Sequence, residues 1–474
     1  MSEDYNNDSP VWKIEGEQEW RKGNTQIKLS PKAYKIVFRD IEGYQKPKSQ
    51  IVYVVANQTV QINANYTYVG DVQSPSSQEE PSGESSGSGE GGESGESSGT
   101  ESEEDSSSTE WVNPNEDILH FVAEKKDSTI SYDVRGEAGT ALYSDDEMYY
   151  STDNCETWIR YRTKKTITLE NVGDTIYFKN KTNTFNTRDG DRFHSFHMTG
   201  KIAAYGSVMS LVDNKSTLKS HTDNAFKCLF KDCSSLTRAP RLPAIELSSN
   251  CYASMFQNCT SLEEQPELPA TGLANKCYES MFKGCTSLKY VPVLPASVMV
   301  NNCYQYMFSG CSSLTMPPSL PSMTLAEYCY SRMFENCTSL VEMPDLPATL
   351  MEGYCYDYMF AGCTGLTTVK RLPSEDLHRQ SYYRMFFGCT GITEVDLPVT
   401  SLSIDSCKEM FKDCTSLRKV TVNFESWLDE DNATFEWLNN VSSEGEFIAP
   451  ESLAEIRGTS NIPSGWTLTR KTAE

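Results

Sequence analysis

The apolar positions in the second half of the chain recur at a fixed interval. Phe230, Phe256, Phe282, Phe308, Phe334, Phe360 and Phe386 lie 26 residues apart, and Phe411 follows 25 later. A cysteine stands three residues after each, from Cys233 to Cys414, and a methionine just before each, with Leu229 in its place in the first coil. Ser-Leu or Gly-Leu comes next (Gly391-Ile392 in the seventh coil), then in most coils a Leu-Pro step. The full unit, C-Y-x-x-M-F-x-x-C-T-S-L-x-x-x-P-x-L-P-A, is seen whole from Cys277 to Ala296. Eight copies in phase predict a solenoid over residues 215–424. No single coil can bury its own Leu, Met and Phe, so neighbouring coils must stack.

Upstream the pattern changes to alternation. Gln26–Leu29, Tyr34–Phe38, Ile51–Val55 and Val60–Tyr66 are rich in β-branched and aromatic residues, and turn signals at Gly23-Asn24, Gly43 and Asn57 separate them. Residues 1–72 therefore predict a small β-sandwich. A second β-rich domain is predicted over 111–214, with strands at Ile118–Ala123, Ser128–Val134, Thr166–Leu169 and Thr175–Phe178. After the last coil, 425–474 breaks phase at Ile462-Pro463-Ser464-Gly465-Trp466 and reads as a C-terminal cap. Ile202–Asp213 is expected to cover the first coil. The predicted fold class is two small all-β domains followed by an α/β leucine-rich-repeat solenoid with a parallel sheet.

Composition adds a linker. Residues 73–110 are almost entirely Ser, Gly, Glu and Thr, without Lys, Arg or aromatics, and their 11 carboxylates supply nearly half of the net charge of −24. Such a segment cannot bury enough apolar surface to offset its ordering entropy. It is predicted to be a disordered tether, roughly 35 Å end to end as a flexible coil and longer through self-repulsion. The acidic balance, 42 Lys+Arg against 66 Asp+Glu, argues against nucleic acid or anionic membrane as partner. No run of 18 apolar residues predicts a spanning helix. The polar start Met1–Ser9 does not read as a secretory signal.

Two resemblances refine the β regions. Gly43–Gln50 with Val55–Thr59 resembles a small β domain repeated in phage tail-fibre proteins and bacterial surface proteins. Ser151-Thr152-Asp153-Asn154-Cys155-Glu156-Thr157-Trp158 resembles the Asp-box of sialidases and other propellers, with Cys155 where that motif has glycine. The motif's role is a turn closed by the Asp side chain with the Trp packed beneath, a structural role even in enzymes.

The repeat itself resembles the BspA-like (Treponema pallidum-type) leucine-rich repeats of surface proteins from Bacteroidetes and their phages. That resemblance implies a parallel sheet on a concave face, short helical turns on a convex face, and adhesion or recognition rather than catalysis. Ile392–Pro398 fits the family strand, and its coil is the 25-residue one. The other coils carry one more residue, often a proline as in Tyr290-Val291-Pro292-Val293, which is expected to bulge because proline cannot donate to a ladder.

Of 16 cysteines, 14 lie at or beside repeat positions. The two within a coil are eight residues apart, about 12 Å on a helix, beyond the roughly 7 Å limit of a disulfide. No C-x-x-C supplies the usual zinc spacing. The cysteines are therefore expected as buried reduced thiols, and His194-Ser195-Phe196-His197 as a satisfied surface pair. Catalytic, cofactor and metal residues are expected to be none.

Candidate ligand-binding positions follow from strand phase. With Ile392, Val395 and Leu397 inward, Glu394 and Asp396 project from the strand face. Equivalent positions in the other coils form one row of Arg238, Glu264, Tyr290, Met316, Glu342 and Thr368. A second row holds Arg241, Glu267, Val293, Ser319, Asp345 and Arg371. Arg and Tyr commonly anchor interfaces. The expected function is a non-enzymatic recognition protein, a virion-associated fibre or receptor-binding protein of a phage, made in the bacterial cytoplasm. Its expected partners are a host cell-surface protein or glycan, and other virion proteins through the N-terminal domain, with no nucleic acid and no membrane insertion. The alternatives are an exported BspA-like adhesin at the bacterial cell surface, and a carbohydrate-active enzyme using the Asp-box region. A Glu-specific protease should cut the chain first within 73–110 and release two stable pieces; early cuts within 215–424, with 73–110 intact, would refute the tether.

Overall fold

A computed structural model describes residues 10–14, 20–22, 32–39, 44–45, 50–54 and 67–68, then 115, 117–136, 141–142, 148–162, 165–180, 192–212, 222–372, 375–428 and 431–471. The chain divides into two compact units, Met1–Val112 and Asn113–Glu474. The tether segment and the strands expected at Gln26–Leu29 and Val60–Tyr66 lie outside the described residues.

The first unit holds a four-stranded antiparallel sheet in the order Arg21–Lys22, Pro10–Ile14, Lys32–Phe38, Gln50–Val54. Tyr44–Gln45 pairs separately with Thr67–Tyr68. Trp12 lies opposite Phe38 and Ile14 opposite Ile36, and all four are buried. The Trp12 indole N–H donates to the Lys22 carbonyl at 2.7 Å, the partner a buried indole requires.

The second unit opens on two sheets. One runs Ile159–Arg160, Met148–Ser151, Thr175–Asn180, His120–Ala123, Ile202–Tyr205, Leu236–Arg238. The other runs Ile167–Leu169, Ser128–Gly136, Arg192–Thr199, with Ala141–Leu142 also on Ser128–Gly136. The strands Met148–Ser151, Arg192–Thr199 and Ile202–Tyr205 carry no clear alternation and were not anticipated. Leu236–Arg238 belongs to the first coil, and its pairing with Ile202–Tyr205 is parallel. The β-rich region thus joins the solenoid through one sheet and one hydrophobic core.

Phe196 carries that junction. Its ring stacks on Phe230 at 5.6 Å with 14° between planes. From there the repeat phenylalanines form one column to Phe411, with centroids 5.4–5.8 Å apart and planes within 10°. The column ends on Trp437, tilted by 60°. Beside it runs a tyrosine column from Tyr252 to Tyr382, spaced 5.7–6.1 Å and capped at its start by Phe226. The phenylalanine, tyrosine and methionine positions of these coils are buried.

The face opposite the strands departs from expectation. Among the described residues there is no α-helix, and the one helical element is a 3-10 turn at Val208–Leu211. The reason lies in the apolar spacing. Cys251-Tyr252, Met255-Phe256 and Cys259 recur every four residues rather than every 3.6. The backbone meets that period by taking a positive φ at every fourth residue, 55° at Asn250, 54° at Ser254 and 61° at Asn258. Alternate N–H groups then point two ways. Ala253, Met255, Gln257 and Cys259 donate three residues back within the coil at 3.0–3.2 Å. Tyr252, Ser254, Phe256 and Asn258 donate to carbonyls of the next coil at 2.7–3.0 Å. A helix would have spent all of these donors internally; here half of them join neighbouring coils. The α/β reading of the solenoid is corrected accordingly: its turn face is a hydrogen-bonded wall of turns.

The strand face is parallel but interrupted. Pairing is continuous at the far end, where Glu394–Asp396, Lys419–Thr421, Glu446–Ala449 and Thr467–Arg470 form one four-stranded parallel sheet. Near the start, Arg238 makes an isolated bridge to Glu264. Residues 288–294 have no β pairing. The clean strand Glu394–Asp396 lies in the 25-residue coil, whereas the coils with an added residue place Pro240, Pro266, Pro292, Pro318 or Pro344 where a ladder donor would stand. Residues 432–440 continue the wall, with positive φ at Asn432, Glu436 and Asn440 and with Phe411 donating to the Trp437 carbonyl at 2.9 Å.

The two ring columns respond differently to truncation. Phe308 is fully buried between stacked neighbours, so Phe308→Ala should cost about 3–5 kcal/mol. The hydroxyls of Tyr252, Tyr304, Tyr330 and Tyr356 are buried and find no hydrogen-bond partner among the described residues. Tyr304→Phe should therefore stabilise by about 1 kcal/mol; denaturant titration of both variants checks the pair, and a loss of stability in Tyr304→Phe would show that its hydroxyl is satisfied.

Candidate functional site

The strand face is built from alternation. Ile392, Val395 and Leu397 are buried while Glu394 and Asp396 are exposed. Strand register extends both rows beyond the expected positions. Glu394, Lys419, Glu446 and Thr467 lie side by side, as do Asp396, Thr421, Ile448 and Thr469. Thr469 Oγ1 donates to Glu446 Oε1 at 2.8 Å.

The structure brings some of the expected residues together and turns others away. Arg238 ion-pairs with Glu264 and lies over the Tyr205 ring at 4.8 Å. Asp345 pairs with Lys370 at 2.9 Å. Arg241 instead pairs with Asp117 in the opening β region, and Arg371 approaches Glu375 within its own coil at 4.0 Å. These pairs are solvent-exposed and contribute little to stability. Glu267, Ser319 and Thr368 are exposed, and Met316 and Glu342 half-buried. In the middle coils Tyr290, Val293 and Val341 stand 43%, 53% and 48% exposed. The middle coils thus expose Tyr290, Val293 and Val341 on the stretch between the two ion pairs.

A cleft opens beside Tyr290. It measures about 430 Å³ and is lined by Glu263, Glu264, Gln265, Ser287, Lys289 and Tyr290. It lies where the ladder fails, between the stretches that carry Pro266 and Pro292. Glu264 and Tyr290 were expected here; Glu263, Gln265, Ser287 and Lys289 were not, because the added residue shifts the side-chain alternation in these coils.

Sequence reasoning also missed the role of the thiols. All 16 cysteines are free, and all but Cys155 are buried. Cys259, Cys285, Cys311, Cys337, Cys363 and Cys389 each donate Sγ–H to the carbonyl of the phenylalanine 29 residues back, at 3.0–3.1 Å. Cys233 makes the same bond to Phe196, so the β-rich region presents a coil-like surface to the first coil. Burial raises these thiols well above the usual range, as at Cys259 and Cys311, which keeps them as neutral donors.

The opening β region holds the Asp-box-like turn. Asp153 accepts from Ser151 Oγ at 2.6 Å and from the Thr157 amide at 3.0 Å. Hydrogen bonds from Ser151 and then Thr157 hold its carboxyl down at about 2. An acid so stabilised in its ionised form closes a turn and is no proton donor near neutral pH. Cys155 takes φ 71° where the motif has glycine. Trp158 is half-buried under Lys179, 3.8 Å from its ammonium. The histidines are satisfied, but not as a surface pair: His194 is buried against the Tyr132 hydroxyl, and His197 meets Asp133 at 3.0 Å.

Residues 229–350 and 327–457 match the family described as the BspA type leucine rich repeat region, in six copies. No curated protein matches the chain, and no solved structure matches it. The match supports a BspA-like leucine-rich-repeat protein with a protein-interaction or adhesion role.

The turn face carries one further cluster. Tyr306, Arg332, Tyr358 and Arg384 alternate along the coils at positive-φ positions. The Arg332 guanidinium lies 3.7 Å from the Tyr358 ring, and Arg384 reaches Glu409 at 2.7 Å. Asp357 sits among them, 7% exposed, and burial pushes its carboxyl up to about 6 against a hydrogen bond from Ser331 and the charge of Arg332. A carboxyl that holds its proton more tightly folded than unfolded stabilises the fold below about pH 4, and that contribution is lost as pH rises through about 6. Asp357→Asn should flatten this dependence and raise stability at about pH 8 by up to about 3 kcal/mol; unfolding midpoints from pH 4 to 8 test it, and an unchanged profile would contradict it.

Proposed function

We propose that the chain is a non-enzymatic recognition protein that contacts a bacterial surface through the strand face of its solenoid. The observation that carries this reading is the arrangement of exposed residues. Tyr290, Val293 and Val341 are exposed apolar side chains of the middle coils, and the Arg238–Glu264 and Asp345–Lys370 pairs lie in the coils on either side. An apolar core with a polar rim is the anatomy of a specific interface. Wall bonds, ring columns and thiols account for the buried positions; none of them requires exposed apolar side chains in the middle coils.

In the finer reading the protein is a virion-associated fibre of a phage, with the first unit attaching to other virion proteins. The resemblance of Gly43–Gln50 with Val55–Thr59 to a domain of tail-fibre and bacterial surface proteins, taken with the polar start Met1–Ser9, supports this reading; an exported bacterial adhesin is the second reading, which the BspA-type repeats alone would equally support. The carbohydrate-active enzyme is disfavoured because Asp153 is committed to its turn.

The test is binding of the labelled full chain to a panel of intact Bacteroidetes cells by flow cytometry. Tyr290→Ala with Arg371→Ala should lower binding at least about tenfold, a loss of about 1.4 kcal/mol, with the thermal midpoint unchanged. Undiminished binding in that double variant would move the contact off the strand face.

A further inference from the structure

Away from the strand face, the coils meet along a second seam. Thr324–Leu325 pairs in parallel with Leu350–Met351, and isolated parallel bridges join Glu246 to Gly272 and Asp376 to Ser401 at the same place of other coils. Alternation buries Leu325 and Met351 and turns Thr324 and Leu350 outward. That outward place is polar or glycine at Glu246, Gly272, Asp376 and Ser401, but apolar at Val298 and Leu350. Coil stacking therefore does not require an apolar side chain there. Val298 is 70% exposed and Leu350 64%. Met323, whose carbonyl accepts from the Leu350 amide at 3.4 Å, is 55% exposed. Three of the four most exposed large apolar side chains among the described residues thus stand in three successive coils. Apolar surface grouped in this way marks a contact site.

The rim of this patch is acidic and aromatic. Alternation places Glu352 on the same face as Leu350, and Glu327 lies one coil earlier beside Tyr328. Both carboxylates are exposed, and neither makes an ion pair among the described residues. Tyr328 stacks on Tyr354 at 4.5 Å with 18° between planes, and both rings are half-buried. Burial first, then Tyr354 and the Glu327 carboxylate, raise the Tyr328 hydroxyl to about 12, so that carboxylate stands at the ring pair.

Charge selects the occupant. A second copy laid patch to patch would set Glu327 and Glu352 against like charges, in a chain already at −24. An anionic membrane meets the same repulsion. The hydroxyls of a polysaccharide find no partner on Val298, Met323 or Leu350. A protein segment with aliphatic side chains for the patch, and with Lys or Arg for the two carboxylates and the tyrosine rings, matches every group present.

We infer that Val298, Met323 and Leu350 form a second interaction surface, which docks an apolar, basic segment of a partner protein with its cations against Glu327, Glu352 and the Tyr328–Tyr354 pair. This surface is separate from the strand-face contact above and does not depend on it.

The probe is a displayed library of random dodecapeptides, depleted first on the full chain carrying Leu350→Asp and then selected on the wild-type full chain. Retained peptides should join aliphatic residues to Lys or Arg. Synthetic copies should bind Val298→Asp and Met323→Ser at least about tenfold more weakly than wild type. Glu327→Gln with Glu352→Gln, which leaves the apolar patch intact, should weaken them about as much and remove most of the salt dependence. Tyr290→Ala with Arg371→Ala should bind them unchanged. These side chains lie outside the core, so thermal midpoints should match wild type in every variant. No peptide surviving depletion, survivors without cations, or binding undiminished in Glu327→Gln with Glu352→Gln would overturn the inference. So would a concentration-dependent dimer of the wild-type chain that Leu350→Asp abolishes, since the patch would then serve a second copy.

Discussion

Neighbouring coils meet at the ring columns, the wall of turns, the strand face and a further short parallel seam, as at Thr324–Leu325 with Leu350–Met351, and these contacts do not ask for the same spacing. The phenylalanine column sets centroids 5.4–5.8 Å apart, whereas strands in a ladder sit about 4.7–4.9 Å apart. The wall of turns bonds each coil to the next at most of its alternate amides. The strand face is less regular. It keeps continuous pairing only at the far end and the junction, and in between it carries prolines and added residues. The exposed apolar residues and the cleft both lie in that stretch, where prolines rather than ring spacing interrupt the ladder: Phe386 and Phe411 stack at 5.5 Å beside the fully paired Glu394–Asp396 and Lys419–Thr421.

The period, the phenylalanine and tyrosine columns and the inward Ile392-Val395-Leu397 set were legible in the sequence, since each depends on spacing alone. The wall was not, though its signal was present. Cys251-Tyr252, Met255-Phe256 and Cys259 mark a period of four, but a run of three repeats is too short to part four from 3.6 by eye. What decides is the left-handed backbone at Asn250, Ser254 and Asn258: the residue before each repeat cysteine is Gly, Asn or Asp in every coil, as that conformation favours, but tyrosine, arginine or glutamate at the places equivalent to Ser254 masks the four-residue rhythm. Phe196 was illegible for another reason. It sits in a strand with no repeat around it, and only the fold reveals that its ring and carbonyl occupy the place of a preceding coil.

For the candidate site, alternation located exposed positions well in the unbulged coil. It said less about partners. Arg238 and Glu264 are neighbours because equivalent positions stack, which the period implies. Arg241 is drawn to Asp117, 124 residues earlier, and nothing local announces that. The added residue in the proline-bearing coils blurred which of Glu263 and Glu264, or Lys289 and Tyr290, would face outward; both members of each pair line the cleft.

The bonds that hold the coils together share a second property. Wall amides reach 25 residues along the chain, ring contacts 26, and thiols 29 back, nearly without exception in the regular coils. Every coil therefore offers its successor the same set of donors, acceptors and rings that it received. Excising 26 residues between any two equivalent points leaves each donor facing an equivalent acceptor, and duplicating them does the same. Unequal recombination within the gene can then lengthen or shorten the solenoid by whole coils without a single compensating substitution, while the two unlike ends, Phe196 and Trp437, stay in place.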